Sequence, residues 1–127
     1  MGSARKIKDI MTTGVISIVK TDSVDKAVRL MSDRNISCVI VTEDETNQRA
    51  LGIITERDLV RRILQQGKDP KKIKAKDIMT TSLVTISEEA TLEEGMRIIE
   101  SMKIRRLPVV NQHGLSGLIT LSDIVKE

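Results

Sequence analysis

Two short stretches occur twice in this chain, in the same order. Ile10-Met11-Thr12-Thr13 returns as Ile78-Met79-Thr80-Thr81. Gly52-Ile53-Ile54-Thr55-Glu56-Arg57-Asp58 returns as Gly117-Leu118-Ile119-Thr120-Leu121-Ser122-Asp123. Such a chain is constrained to fold as two like units, and a site carried by one unit has a counterpart in the other. A unit of roughly 60 residues buries too little surface to be comfortable alone, while a chain of this full length can bury roughly two-thirds of its surface. The two halves are therefore expected to need each other.

Each repeat reads strand, helix, strand, strand, helix. In the first, Ile16-Ser17-Ile18-Val19 is a short β-branched run, and Asp22 or Ser23 can cap the helix that follows. Val24, Ala27, Val28 and Met31 then fall on one helical face. Cys38 to Val41 is a continuous apolar run suited to a strand covered on both sides, and Leu51 to Ile54 is the next strand. Thr55 to Gln66 reads as a helix with Leu59, Val60, Ile63 and Leu64 inward, stopped by Gly67. In the second repeat, Leu83 to Ile86 is the strand, and Thr91 with Glu94 forms a capping box. The helix behind that box turns Leu92, Met96, Ile99 and Met102 inward. Leu107-Pro108-Val109-Val110 is a strand whose proline predicts an edge or a strand start. Asn111 to Gly114 is the turn, and a last helix starts at Thr120. The domain reading is repeat 1 over 6–67, a basic linker over 68–76 and repeat 2 over 77–127.

Composition removes several function classes. There is no Phe, Tyr or Trp, so the core is aliphatic and base stacking has no platform. Net charge is +3. The lysines at 68, 71, 72, 74 and 76 cluster, but such a run reads first as a solvated face, so nucleic acid is not the expected partner. One cysteine, Cys38, sits in an apolar run, and the one histidine, His113, sits in a turn. No Cys/His metal set and no paired nucleophile and base can be assembled, so no catalytic role is expected. No run is long and apolar enough to span a membrane and no secretory leader is recognisable. Met1-Gly2-Ser3-Ala4 reads as an appended remnant. The expected location is the cytoplasm.

The chemistry concentrates in Gly-x-x-Thr-x-x-Asp, at Gly52/Thr55/Asp58 and Gly117/Thr120/Asp123. Its plain explanation is a helix cap: the Thr oxygen accepts an orphan N–H and the Asp complements the helix dipole. Its duplication, and the glycine that lets another group approach the backbone, point further. A carboxylate there can accept hydrogen bonds from the two hydroxyls of a ribose, with Thr55 or Thr120 near a phosphate. Arg105-Arg106 offers two guanidinium forks suited to a phosphate, although taken alone a solvated or ion-paired role is the favoured account of them. The matching positions of the first repeat are Ser37 and Cys38, so two such sites are not equivalent.

Paired Ile-Met-Thr segments, a Leu-Pro-Val-Val strand and terminal Gly-x-x-Thr-x-x-Asp turns resemble the cystathionine-β-synthase (CBS) domain pair, also called a Bateman module. The likeness runs from about Lys6 to Glu127. It implies an α+β fold of two β-α-β-β-α repeats packed sheet to sheet about a pseudo-two-fold axis, with two clefts between them. It also implies a regulatory module that senses AMP, ADP, ATP or an S-adenosylmethionine-type ligand, none of them obligatory. Ribose falls to Asp58 and Asp123, phosphate to Thr55, Thr120, Arg105 and Arg106. Adenine falls among Ile16, Ser17, Ile18, Ile36, Val39 and Ile40, or among Val84, Thr85, Ile86, Ile104, Leu107 and Pro108. By this likeness the arginines serve a nucleotide on Asp58, which ranks as the better site, while Asp123 faces Ser37 and Cys38. A disk-like homodimer and a separate effector protein complete the expectation. The alternative is a ligand-free interaction or dimerisation module.

Overall fold

A computed structural model describes residues 5–81 and 83–126. The leader 1–4 and Glu127, the last residue of the second repeat, lie outside the described residues. The described chain is α+β, with two three-stranded sheets and six helices. It divides into two compact units, Ile16–Leu83 and Met1–Val15 joined with Val84–Glu127.

Ile16–Leu83 is built on β1 (Ser17–Val19), β2 (Cys38–Thr42) and β3 (Ala50–Thr55), in that order across the sheet. The preceding helix in the chain, α1 (Ile7–Ile10), belongs to the other unit. β1 runs parallel to β2 through α2 (Val24–Arg34), and β3 returns antiparallel. Every residue of β2 is buried, as its unbroken apolar sequence demands of a central strand. Ser23 caps α2 by accepting from the Lys26 amide, and Asn35 ends it in the left-handed region at φ 53°. Val24, Ala27 and Met31 seal against Ile18, Val39, Val41 and Ile54.

β3 runs into α3 (Glu56–Leu59), which continues as a π-helical turn over Val60–Leu64. This corrects one expectation. Ile63 is buried, but Val60 is 46% exposed and Leu64 72%. A regular helix would have kept Leu64 on the inward face, whereas the wider i→i+5 winding, with the Gln65 amide bonded to Val60 O, rotates it outward. The stretch 68–76 is not a free joint. The amides of Val24, Asp25 and Ala75 bond to Ile73 O, Pro70 O and Asp22 O at 2.8, 3.0 and 2.8 Å. It therefore lies along the start of α2 and leads into α4 (Ala75–Ile78), whose Ala75 and Ile78 enter the core.

The second unit repeats the plan with β4 (Ile86–Ser87), α5 (Leu92–Met102), β5 (Arg106–Asn111), β6 (Gly114–Thr120) and α6 (Leu121–Val125). The Thr91/Glu94 capping box forms. Its core is Ile7, Ile86, Ile99, Leu107, Val109, Ile119 and Ile124. Three expectations change here. The strand expected over Leu83–Ile86 is reduced to β4, which pairs only at Ile86 and Ser87. Pro108 sits inside the central strand, not at an edge or start. It is tolerated because β4 first pairs with β5 one residue later, at Val109. Met102, at the last turn of α5, is 52% exposed instead of inward.

The compact units cut across the sequence repeats. The Ile-Met-Thr segment of the first repeat belongs to the unit that holds the second repeat, and that of the second repeat to the unit that holds the first.

Candidate functional site

The reason for that exchange is local. A Cβ built on Gly52 would stand 2.7 Å from Thr80 O and 2.8 Å from Met79 Sδ. One on Gly117 would stand 2.6 Å from Met11 Sδ and 2.9 Å from Thr12 O. Ile53 exchanges backbone bonds with Thr80, and Leu118 does so with Thr12. The close approach that the glycines permit is thus taken up by the chain's own Met-Thr segments. The two repeated motifs are each other's packing partners.

Both turns form full capping boxes. Thr55 Oγ1 accepts from the Asp58 amide at 3.2 Å, and Asp58 Oδ2 accepts from the Thr55 amide at 2.9 Å and from Thr55 Oγ1 at 3.1 Å. Thr120 and Asp123 repeat the amide bonds at 3.2 and 2.9 Å, but Thr120 Oγ1 pairs with Ser122 Oγ at 3.0 Å. Beyond the box the turns differ. Asp58 is buried, at 8% exposure. Its Oδ1 accepts from Thr80 Oγ1 at 3.0 Å and lies 3.9 Å from Arg62 Nε. Asp123 is half-buried, and its Oδ1 accepts no hydrogen bond among the described residues.

Within the second unit, Arg106 pairs in register with Thr120, and Arg105 O accepts from the Leu121 amide at 3.1 Å. Arg105 and Arg106 thus lie beside the Asp123 turn. With Thr120, Leu121, Ser122 and Val125 they line a concavity of about 590 Å³. In the first unit Ser37 and Cys38 occupy the same place: Ser37 O accepts from the Glu56 amide at 3.2 Å, and Cys38 pairs with Thr55.

The residues assigned to adenine come together in two groups. Ile16, Ser17 and Ile18 lie against Ile36, Val39 and Ile40 at the β1–β2 pair. Val84, Thr85 and Ile86 lie near Ile104, Leu107 and Pro108 at the β4–β5 pair. Ile18, Val39, Ile40, Ile86, Leu107 and Pro108 are buried. The accessible ones are Ile16, Ser17, Ile36, Val84, Thr85 and Ile104, just outside or at the ends of the strands. Thr80, Arg62 and Ser122 also belong to the turns, and sequence reasoning did not place them. Thr80 was visible as part of a repeated motif; its partner was not.

Among the described residues no cluster of three His, Cys, Asp or Glu side chains is placed to hold a metal ion. No helix among them is long and apolar enough to cross a membrane.

The CBS domain model matches residues 7–65 and 75–127. The chain is 35% identical over 107 residues to the CBS domain-containing protein CBSX3, mitochondrial, of Arabidopsis thaliana, covering 83% of this chain and 52% of that protein. It is 36% identical to the uncharacterized protein YlbB of Bacillus subtilis, covering 94% and 79%. The chain thus spans about half the length of the plant relative. Among solved structures it resembles hypoxic response protein I with two coordinated zinc ions, at TM-score 0.86 and 27% identity over 97% of this chain and 98% of that one. A protein of that name from Mycobacterium tuberculosis is 29% identical over 119 residues, covering 94% of this chain and 82% of that protein. The chain also resembles a hexameric CBS-CP12 protein from bloom-forming cyanobacteria, at TM-score 0.82 and 31% identity over 100% and 74%. With both repeats matched and the fold shared, the chain belongs to the CBS domain family.

Proposed function

We propose that this chain is a ligand-sensing module for an adenine nucleotide or adenosyl compound. Proteins built of CBS domains are generally regulatory modules, and that much follows from the family. The observation that supports a ligand is the Asp123 turn. One carboxylate oxygen there accepts no hydrogen bond among the described residues, and two guanidinium groups and the Thr120 hydroxyl line a concavity beside the turn. A sugar hydroxyl donating to Asp123 Oδ1 makes a charge-assisted bond worth roughly 1.5–3 kcal/mol. Arg105 and Arg106, which the family likeness assigned to a nucleotide on Asp58, lie beside the Asp123 turn and suit the phosphate of a nucleotide held there instead. The ligand acts by binding one conformation more tightly than another. The expected outcome is that AMP binds in calorimetry and that Asp123→Ala weakens it by about tenfold or more. Equal affinities of the two forms end the assignment.

A second reading has its own support. Val60 and Leu64 in one unit, and Leu121 and Val125 in the other, are exposed apolar residues on the terminal helices. These faces fit self-association into a homodimer that docks an effector protein without a small ligand. It predicts dimer mass in light scattering and no thermal shift with any adenosine compound. A cytoplasmic location and the absence of catalysis are parts of the same proposal.

A further inference from the structure

A carboxylate offers about four lone-pair positions. At Asp123 the capping bond from the Thr120 amide engages only Oδ2. At Asp58 the Thr55 amide and hydroxyl fill Oδ2, and the Thr80 hydroxyl takes Oδ1 at 3.0 Å. A sugar diol has two O–H groups to donate, and at Asp58 it meets a buried carboxylate already served on both oxygens. The Thr80 contact is pinned from both sides. Thr80 N donates to Ile53 O at 2.9 Å and Ile53 N to Thr80 O at 3.1 Å. Arg62 Nη1 donates to Ile78 O and Met79 O at 2.9 and 3.2 Å, fixing the residues just before it. Thr12, the repeat counterpart of Thr80, makes the same backbone bridge to Leu118 but is exposed, with no side-chain bond to Asp123 among the described residues.

We infer that Thr80 is a latch that closes Asp58 to a sugar, so that the two turns load unequally: Asp123 first, and Asp58 only when the Thr80 hydroxyl lets go. The inference rests on the adenosine-ligand reading above and specifies the regulation of those same turns. Loading Asp58 breaks its hydroxyl bond to Thr80, one of several ties between the turn and the Met79-Thr80 segment, so occupancy there is transmitted along that segment towards α4. Asp123 has no such connection among the described residues.

The test is AMP titration by calorimetry on the full chain, with folding checked by dye-monitored melting. The native chain is expected to take one AMP, lost in Asp123→Ala and retained in Asp58→Ala. Thr80→Val removes the hydroxyl at nearly constant shape. It is expected to add a second AMP per chain, with an affinity at least about tenfold above that of any second site in the native chain. That second AMP disappears in Thr80→Val combined with Asp58→Ala. Thr80→Ser, which keeps the donor, behaves as the native chain. Should Thr80→Val not fold, Thr80→Ala removes the same donor. One AMP in the native chain and still one in the folded Thr80→Val and Thr80→Ala forms overturns the latch and leaves the ligand reading standing. No AMP bound by any form overturns the ligand reading and the latch with it.

Discussion

At the scale of single residues, Gly52 and Gly117 each let a Met-Thr segment pack inside their own unit. Each accepts a backbone oxygen and a methionine side chain where a methyl group has no room. Gly52→Ala forces the Thr80 carbonyl away and strains its bridge to Ile53. We expect it to lower stability by about 1–3 kcal/mol, the range for overpacking, in urea denaturation. An alanine with native stability would show that the segment is not held against the glycine. The threonine caps make a second residue-scale case. Thr55→Ala removes the acceptor for the Asp58 amide and one donor to Asp58 Oδ2, with an expected loss of about 0.5–2 kcal/mol. The glycine and the cap were legible in the sequence as spacing alone. What filled the space was not, because the partner is far along the chain and the contact is with backbone atoms that any sequence supplies.

At the scale of elements, the π-turn and the short helix α1 carry the informative departures. The apolar spacing of Leu59, Val60, Ile63 and Leu64 is that of a regular helix with one inward face. Only the winding decides which of the four is inward, and composition says little about winding. Leu64→Glu places a charge on the exposed side of that turn and leaves the buried Ile63 untouched. If this face mediates self-association, light scattering on the variant is expected to show a shift from dimer towards monomer mass. An unchanged dimer removes this face from the interface. α1 is clamped to its unit by Glu89, which receives Lys6 and Lys8 at 2.7 and 2.9 Å. Hydrogen bonds from the two lysines hold the Glu89 carboxyl below its ordinary range. A depressed carboxylate contributes stability above its unfolded pKa, and the contribution is lost as pH falls through the folded value. Glu89→Gln is therefore expected to flatten the loss of stability between about pH 5 and 3 in denaturant titrations. A variant with the native acid profile would show that the clamp is idle.

At the scale of the whole molecule, the repeated motifs announced two like units, and the structure has them. Strand and helix order followed from apolar runs and caps such as Ser23, Thr91 and Thr120. The membership of each unit did not follow, since a repeat read along the chain hides the exchange of its leading segment. Likewise Gly-x-x-Thr-x-x-Asp located both acidic turns, but their inequality depends on Thr80 donating to Asp58 and on Thr12 leaving Asp123 alone. Identical motifs thus sit in different hydrogen-bond environments, which a motif cannot record.

The most direct measurement is thermal melting, with an added dye, across AMP, ADP, ATP, S-adenosylmethionine and NAD, since the chain has no aromatic residues of its own. At a hundred times its dissociation constant, a ligand bound only by the folded state stabilises it by about 2.7 kcal/mol. A rise in melting temperature is predicted with at least one adenosine compound, cut to about half or less in a folded Asp123→Ala variant. Flat melting temperatures across the whole panel, or a rise that survives Asp123→Ala unchanged, would contradict it.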